Sequence, residues 1–579
     1  MLKIRFFSFL ILTVSLFYGQ QNKLSIETET SIYSNWNTYF SYNLISSIDN
    51  GESVIYFASY NSIFSYDTSS NQIEKFDTLN ELSGDEISAF YYSEINNNIV
   101  IGYSSGFLQI IDLNSNSIIN IYDILNKPTI PPNKKTINDF FQSGDQLLIS
   151  TGYGVSIYNL NGYEFGDTYY IGDFATQINV TSTFIHENFI YASSPDLGIL
   201  RANINSNLID FNNWQTIYFG DIQQLFYDGE NIFFYSDNSI MRINDEEITS
   251  ILTLENQIIN INSSDSKFII ITDGKCLIYN DQLTQLVYEI DSETYSSGFN
   301  EGIIKDNYIY IATNEKGVLI INNNSGDFSY LKPDGPLEND IFSVETLNNK
   351  TWVSYGNYTE YFNPYPLKFS GLSNYDENLN SWFNISKDSI PESAVNLNNI
   401  SINPQGEIYI AMKKQVVKIT DKSTGSMVDI APFDSSSDWR SIGFGNNDDI
   451  YLAGVGGSGI WKYQNGSLDH WVGRTSFGSG YVDGAAADAR FSQIERMVVD
   501  HNGILYLTDR WQNSHIRKII PDGTVSTYSG DGTDATTNST DVTNAQYNSP
   551  FGIAIDKYGN IYVSEIGGIR IIGRPAAPQ

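Results

Sequence analysis

Gly102-Tyr103-Ser104-Ser105-Gly106 fits the G-x-S-x-G arrangement that lifts a nucleophilic serine onto a sharp turn between a strand and a helix. The residues that follow, Phe107 to Ile111, alternate as a second strand, so an ordinary hairpin turn is expected there. A nucleophile also needs a base within hydrogen-bond reach, and the chain carries only His186, His470, His501 and His515. Zinc chemistry needs three or four converging His, Cys or carboxylate ligands. His501 and His515 flank one strand without H-x-x-x-H spacing, and Cys276, the single cysteine, sits between strand residues Lys275 and Leu277. Surface-turn histidines and a buried apolar thiol are the expected roles. No catalytic residue is assigned, and the chain is read as a non-enzyme.

Carboxylates are plentiful, as in Asp448 with Asp449 and Asp531 with Asp534, but 67 acidic residues generate such pairs by composition alone. Asp531, Asp534 and Asp541 are the residues a calcium ion would use, through oxygen ligands, with a solvated turn as the competing reading. No other cofactor is expected. The chain lacks the G-x-x-x-x-G-K-[ST] loop that cradles phosphates and a G-x-G-x-x-G between strand and helix. The richest binding candidates are aromatic: Trp352, Tyr355, Tyr358, Tyr361, Phe362 and Tyr365, with Trp382 and Phe383 nearby, and a second group of Trp461, Trp471, Arg474 and Trp511. Amphipathic rings of this kind suit protein interfaces and carbohydrate stacking; packing at a domain junction is the alternative.

The elements that must position these residues come from a repeat. Twelve copies of a strand, a short turn and a second strand run from IYFASYNSIFSYD at Ile55 to IYVSEIGGIRIIG at Ile561. Their mean spacing of roughly 46 residues matches four-stranded propeller blades. One ring holds four to eight blades, so about twelve predict an all-β fold of two consecutive β-propellers, partitioned 7 plus 5 or 6 plus 6. The expected domains are a signal peptide at 1–20, a first propeller at 21–345, an aromatic and proline-containing junction at 346–390, and a second propeller at 391–579. Ser194-Pro195-Asp196-Leu197-Gly198 approaches the S-x-D-x-G turn of sialidase-like propellers, but Arg201 stands where an aromatic would pack, and turn chemistry accounts for it.

Lys3 and Arg5 followed by the apolar run Phe6 to Tyr18 read as a secretory signal peptide, too short to span a bilayer as a helix. A net charge of -35 without any basic tract repels phosphate backbones, so nucleic acid is excluded as a partner. The mature chain is expected to be exported, to the outer-membrane surface or the medium, with the periplasm as a further possibility.

Residues from Trp36 to Ser386 resemble the N-terminal propeller region of the PorZ family of the type IX secretion system. The phrases that carry this are TYFSYNLISSI from Thr38, SIFSYD from Ser62, NELSGDEIS from Asn80, IVIGYSSG from Ile99, TINDF from Thr136, IYASSPDLGILRA from Ile190, GPLEND from Gly335 and WVSYGNYTEYFNPYP from Trp352. The resemblance implies a surface accessory of cargo secretion and attachment, whose partners are outer-membrane secretion or attachment proteins or lipopolysaccharide glycan. From Gly473 to Ile572 the sequence is similar to NHL-repeat propellers, with Gly503, Asp522, Gly523 and Gly559 at turns and Arg517 and Lys518 after a strand. The resemblance implies a small terminal β-sandwich, whereas this sequence closes on IIGRPAAPQ, which reads either as a truncated end or as a relative with NHL blades in its second half. That departure keeps open a secreted glycan- or peptide-recognition propeller, and thirdly a propeller hydrolase or lyase.

Overall fold

The computed structural model describes residues 38–573, except 79–81, 229–230, 245–246, 265, 348, 356, 359–363, 366–370, 387–396, 413–414, 422–425, 431–438, 446–447, 455–458, 476–479, 511–513, 536, 557 and 566–567. The expected signal peptide lies outside the described residues. The chain divides into two compact units, Met1–Pro333 and Asp334–Gln579.

Among the described residues the first unit contains seven four-stranded antiparallel sheets, each built from consecutive strands. We call them blades one to seven. Their first strands are Ser47–Asn50, Ile87–Ser93, Ile137–Ser143, Ser182–His186, Gln224–Tyr227, Ile258–Ser264 and Phe299–Lys305. The first strand of blade one packs against that of blade two and also against that of blade seven, which closes the ring. The sequence of each strand follows its place in the blade. Second strands such as Asn98–Tyr103 (NIVIGY) and Gln146–Thr151 (QLLIST) are buried almost throughout, since both faces pack on neighbouring blades. They accordingly read as continuous apolar runs, as doubly covered strands do. Fourth strands sit at the rim, and Gln72–Phe76 (QIEKF) buries only its last residue.

Polar bonds join each blade to the next. The Asp49 carboxylate accepts from the Tyr92 amide at 2.6 Å, Ser88 donates to Ile137 O at 2.7 Å, and Asn138 donates to Val180 O at 2.7 Å. Leu225 N donates to Ser182 Oγ at 3.0 Å, Tyr235 donates to Ile259 O at 2.8 Å, and Ser264 donates to Ile304 O at 2.5 Å. At the closing junction Glu301 accepts from Ile48 N at 2.8 Å, and Asn300 donates to Ile45 O at 2.8 Å. Buried backbone groups left without partners are costly. A side chain at each of the seven junctions therefore fixes register where sheet pairing stops.

The second unit, described by itself, contains four four-stranded sheets, a three-stranded sheet and a two-stranded hairpin among the described residues. Blades eight to twelve begin with Ile341–Leu347, Leu397–Ile402, Trp439–Phe444, Ile494–Val499 and Ile553–Ile555, and these first strands pack in series. Residues 346–390, expected as a junction, instead supply Lys350–Tyr355, Gly371–Asp376 and Ser381–Ser386 to blade eight. Pro364 falls in an excursion between the second and third strands of that blade, while Pro366 lies outside the described residues. Part of this excursion is the hairpin of Asn357–Tyr358 with Pro364–Tyr365.

Candidate functional site

Among the described residues, the aromatic candidates differ widely in exposure. Trp352 and Tyr355 are 2% and 1% exposed and pack the interior of blade eight, which corrects the binding role expected for them. The Tyr355 hydroxyl donates to Ser373 Oγ at 2.5 Å and accepts from Leu337 N at 3.0 Å, so it is engaged within its own blade. Tyr358 and Tyr365 contribute backbone to the hairpin, while Tyr361, Phe362 and Trp511 lie outside the described residues. Trp461 and Trp471 are half-buried, Trp461 edge-on to Trp439 at 6.4 Å and Trp471 on Tyr451 at 4.9 Å. Phe383, of the first group, is exposed, at 42%.

Asp531, Asp534 and Asp541 each accept from separate donors. Asp531 accepts from Thr533 N and Gln546 Nε2, Asp534 accepts from Ser514 Oγ, and Asp541 accepts from Thr543 N and caps the short helix Val542–Asn544. Among the described residues no group of three or more His, Cys, Asp or Glu side chains is arranged to hold a metal ion. The three carboxylates expected as calcium ligands do not converge, because each satisfies donors within a few residues or on the adjacent segment.

The remaining motifs resolve into packing. Gly102 to Gly106 joins strand Asn98–Tyr103 to strand Leu108–Asp112, and Ser104 Oγ donates to Glu86 at 3.1 Å. A strand-turn-strand cannot raise a serine as a strand-turn-helix elbow does. Arg201 stacks on Phe189, 4.6 Å from the ring centre. His515 is buried and stacks on Tyr481 at 4.3 Å. Burial, then the nearby Arg517, pushes it down to about 4, so it is neutral at physiological pH rather than a surface cation. Cys276 is fully buried, and burial pushes its thiol up to about 12. Thiol-specific reagents are therefore expected to leave Cys276 unmodified in the folded protein and to label it once denaturant is added, as mass spectrometry would show.

Two polar clusters were not visible from motifs. In the second unit, the Arg517 guanidinium is 0% exposed, sits over the rings of Tyr481 and Phe491, and bonds Asp509, Asp483 and the carbonyls of Val482 and Arg490. Arg570 repeats the arrangement over Tyr547. In the first unit, Asp49, Asp139 and Glu301 stand on first strands of blades one, three and seven, the strands that line a propeller's channel. Burial, only partly offset by bonds from backbone amides, pushes Asp49 up to about 6 and Asp139 and Glu301 up to about 7. The sequence signal was a carboxylate inside an apolar first strand, as in SIDN and INDF.

Seven stapled blades followed by a further series of blades define a tandem β-propeller protein. Residues 55–215 match the family model described as the type IX secretion system, PorZ, N-terminal β-propeller domain. No curated protein matches the chain. Among solved structures, PorZ, described as an essential bacterial surface component of the type IX secretion system of Porphyromonas gingivalis, is similar at a TM-score of 0.71 and 15% identity. That alignment covers 93% of this chain and 73% of PorZ, and it shows the shared fold. The extracellular domain of the one component system BT4673 from B. thetaiotaomicron aligns at a TM-score of 0.39 and 14% identity, over 93% of this chain and 72% of that one.

Proposed function

We propose that this protein is a non-catalytic β-propeller scaffold at the cell surface, an accessory of type IX protein secretion and of cargo attachment. The observation that carries this reading is the PorZ N-terminal propeller match across residues 55–215, in a chain whose fold follows PorZ over most of its length. Its partners are outer-membrane secretion or attachment proteins, or lipopolysaccharide glycan, engaged through loop faces. No described helix is long and apolar enough to cross a membrane.

Deleting the gene tests the role directly. Loss of cargo from the cell surface and the medium, restored by a plasmid copy, is the expected result. Unchanged secretion and attachment would overturn the reading. Tight binding to a soluble carbohydrate by the same strain's protein would then favour a recognition propeller.

A further inference from the structure

We infer that Phe174, backed by Phe211 and Ile209 where two loops of blades three and four meet, is a docking knob for a partner protein that presents an apolar pocket edged by lysine or arginine. This goes beyond the secretion reading and holds whether or not the partner belongs to that machinery.

The first loop connects the last strand of blade three, Glu164–Tyr169, to the first strand of blade four, Ser182–His186, and it leaves Phe174 87% exposed. The loop does not lack a core to enter, since Ile171 and Ile178 on either side are buried. Phe174 and Ala175 hold φ at +58° and +56°, a region that residues other than glycine rarely enter. Gly172 closes the turn, where a Cβ would lie 2.5 Å from Thr176 Oγ1. Thr176 N donates to Gly172 O and Asp173 O, Gln177 Nε2 donates to Thr129 O at 3.1 Å, and Lys134 Nζ donates to Gln177 O at 2.8 Å. The ring is therefore held outward by a fixed turn. The second loop joins the third and fourth strands of blade four, Gly198–Asn203 and Gln215–Tyr218. Asp210 accepts from Asn212 N at 3.0 Å, Asn213 Nδ2 donates to Asn207 O at 2.8 Å, and Trp214 Nε1 donates to Leu208 O at 3.0 Å. Trp214 packs on Tyr169 at 6.3 Å, which draws this loop onto blade three, and Phe211 meets Phe174 at 5.9 Å. Ile209 is 53% exposed.

A large ring that enters a partner's pocket is the usual anchor of a protein interface, and fixing it beforehand removes part of the ordering cost of binding. Charge and shape select the occupant. Asp173 and Asp210 are exposed, and each precedes one of the two rings in the chain. The lysines of the neighbouring segment, Lys127 and Lys134, are held on Thr168 Oγ1 and Gln177 O. An acid-flanked knob is complementary to a basic rim. A second copy would bring the same acids, and an anionic lipid surface would repel them together with the chain's charge of -35. The two rings are tilted by 43° and form a convex wedge, whereas a small ligand or sugar takes a concave site.

The test is photocrosslinking in intact cells that make the protein, using the full chain with benzoylphenylalanine at position 209, or at position 163 as a control. Tyr163 is 44% exposed and lies at the other end of the last strand of blade three. The expected result is a protein adduct from position 209, not from position 163, whose linked peptide combines apolar residues with lysine or arginine. In the same background, Phe174→Gly is expected to lower the adduct about five-fold or more, and so is Asp173→Asn with Asp210→Asn, which keeps an acceptor at the Asp210 cap. Glycine suits left-handed backbone, so the melting temperature of Phe174→Gly should equal or exceed that of the native chain. A lower one would make the ring a packing residue and overturn the inference. No adduct, an adduct of lipid, of glycan or of a second copy, or a yield indifferent to both variants overturns it equally.

Discussion

Replacing Arg517 with leucine is expected to destabilise the second unit by about 3–5 kcal/mol, the range for removing one partner of a buried ion pair. The side chain has no exposure, and its partner Asp509 is equally enclosed. Leucine restores apolar volume between Tyr481 and Phe491 but leaves the Asp509 charge without its cation. It also removes the donors that hold the carbonyls of Val482 and Arg490 and the Asp483 carboxylate. The segment joining blades eleven and ten should therefore loosen as well. Lysine is not a substitute, because one ammonium cannot reproduce the planar fork that addresses four acceptors. Urea unfolding followed by tryptophan fluorescence reports mainly on this unit, since six of the eight tryptophans, Trp352, Trp382, Trp439, Trp461, Trp471 and Trp511, lie in it. Adding Asp509→Asn should recover part of the loss. A midpoint within error of the native one in the single variant would show that Arg517 is not a structural cation.

Substituting alanine for Gly198 is expected to cost the first unit about 3 kcal/mol or more. Gly198 opens the third strand of blade four with φ at +83°, and a Cβ there would overlap the carbonyl oxygen of Tyr218 at the end of the rim strand. Left-handed backbone alone costs an alanine about 1–2 kcal/mol; the remainder is displacement of a strand that cannot shift without breaking its pairing. Gly144 supplies the comparison. It also has positive φ, at +59°, but nothing lies within 4 Å of where its Cβ would be. Alanine at 144 should therefore cost only the conformational part, about 1–2 kcal/mol. Equal losses at the two positions, measured by thermal unfolding, would contradict the close-approach argument.

Much of this architecture is legible in the residues. Phrases such as IVIGYSSGFLQIIDL carry two strands and their turn in one line, because second and third strands are buried on both faces and cannot be polar. The predicted all-β tandem propeller is the fold found. The site was legible only in part. The hairpin reading of Gly102 to Gly106 and the buried thiol of Cys276 follow from local pattern and agree with the structure. Trp352 and Tyr355 misled, since aromatic spacing alone does not distinguish a ring that stacks on a ligand from one that fills a blade. The Asp531, Asp534 and Asp541 grouping misled because Asp531 and Asp541 are taken by amides of their own turns and Asp534 by the Ser514 hydroxyl, rather than by convergence on an ion. The channel acids escaped notice for the opposite reason. Asp49, Asp139 and Glu301 are brought to one channel by ring closure across some 250 residues, as the Ile48 to Glu301 bond shows, and no local motif encodes that.

The central claim, a surface scaffold of secretion, is tested most directly by where the protein is and what accompanies it. Intact cells would be treated with protease, and in parallel the protein would be affinity-purified from detergent-solubilised outer membrane with mass spectrometry of the co-purifying chains. The account predicts cleavage on intact cells and co-purification of type IX secretion components. A protein that is protected from protease, or that is recovered free of any secretion component, would contradict it.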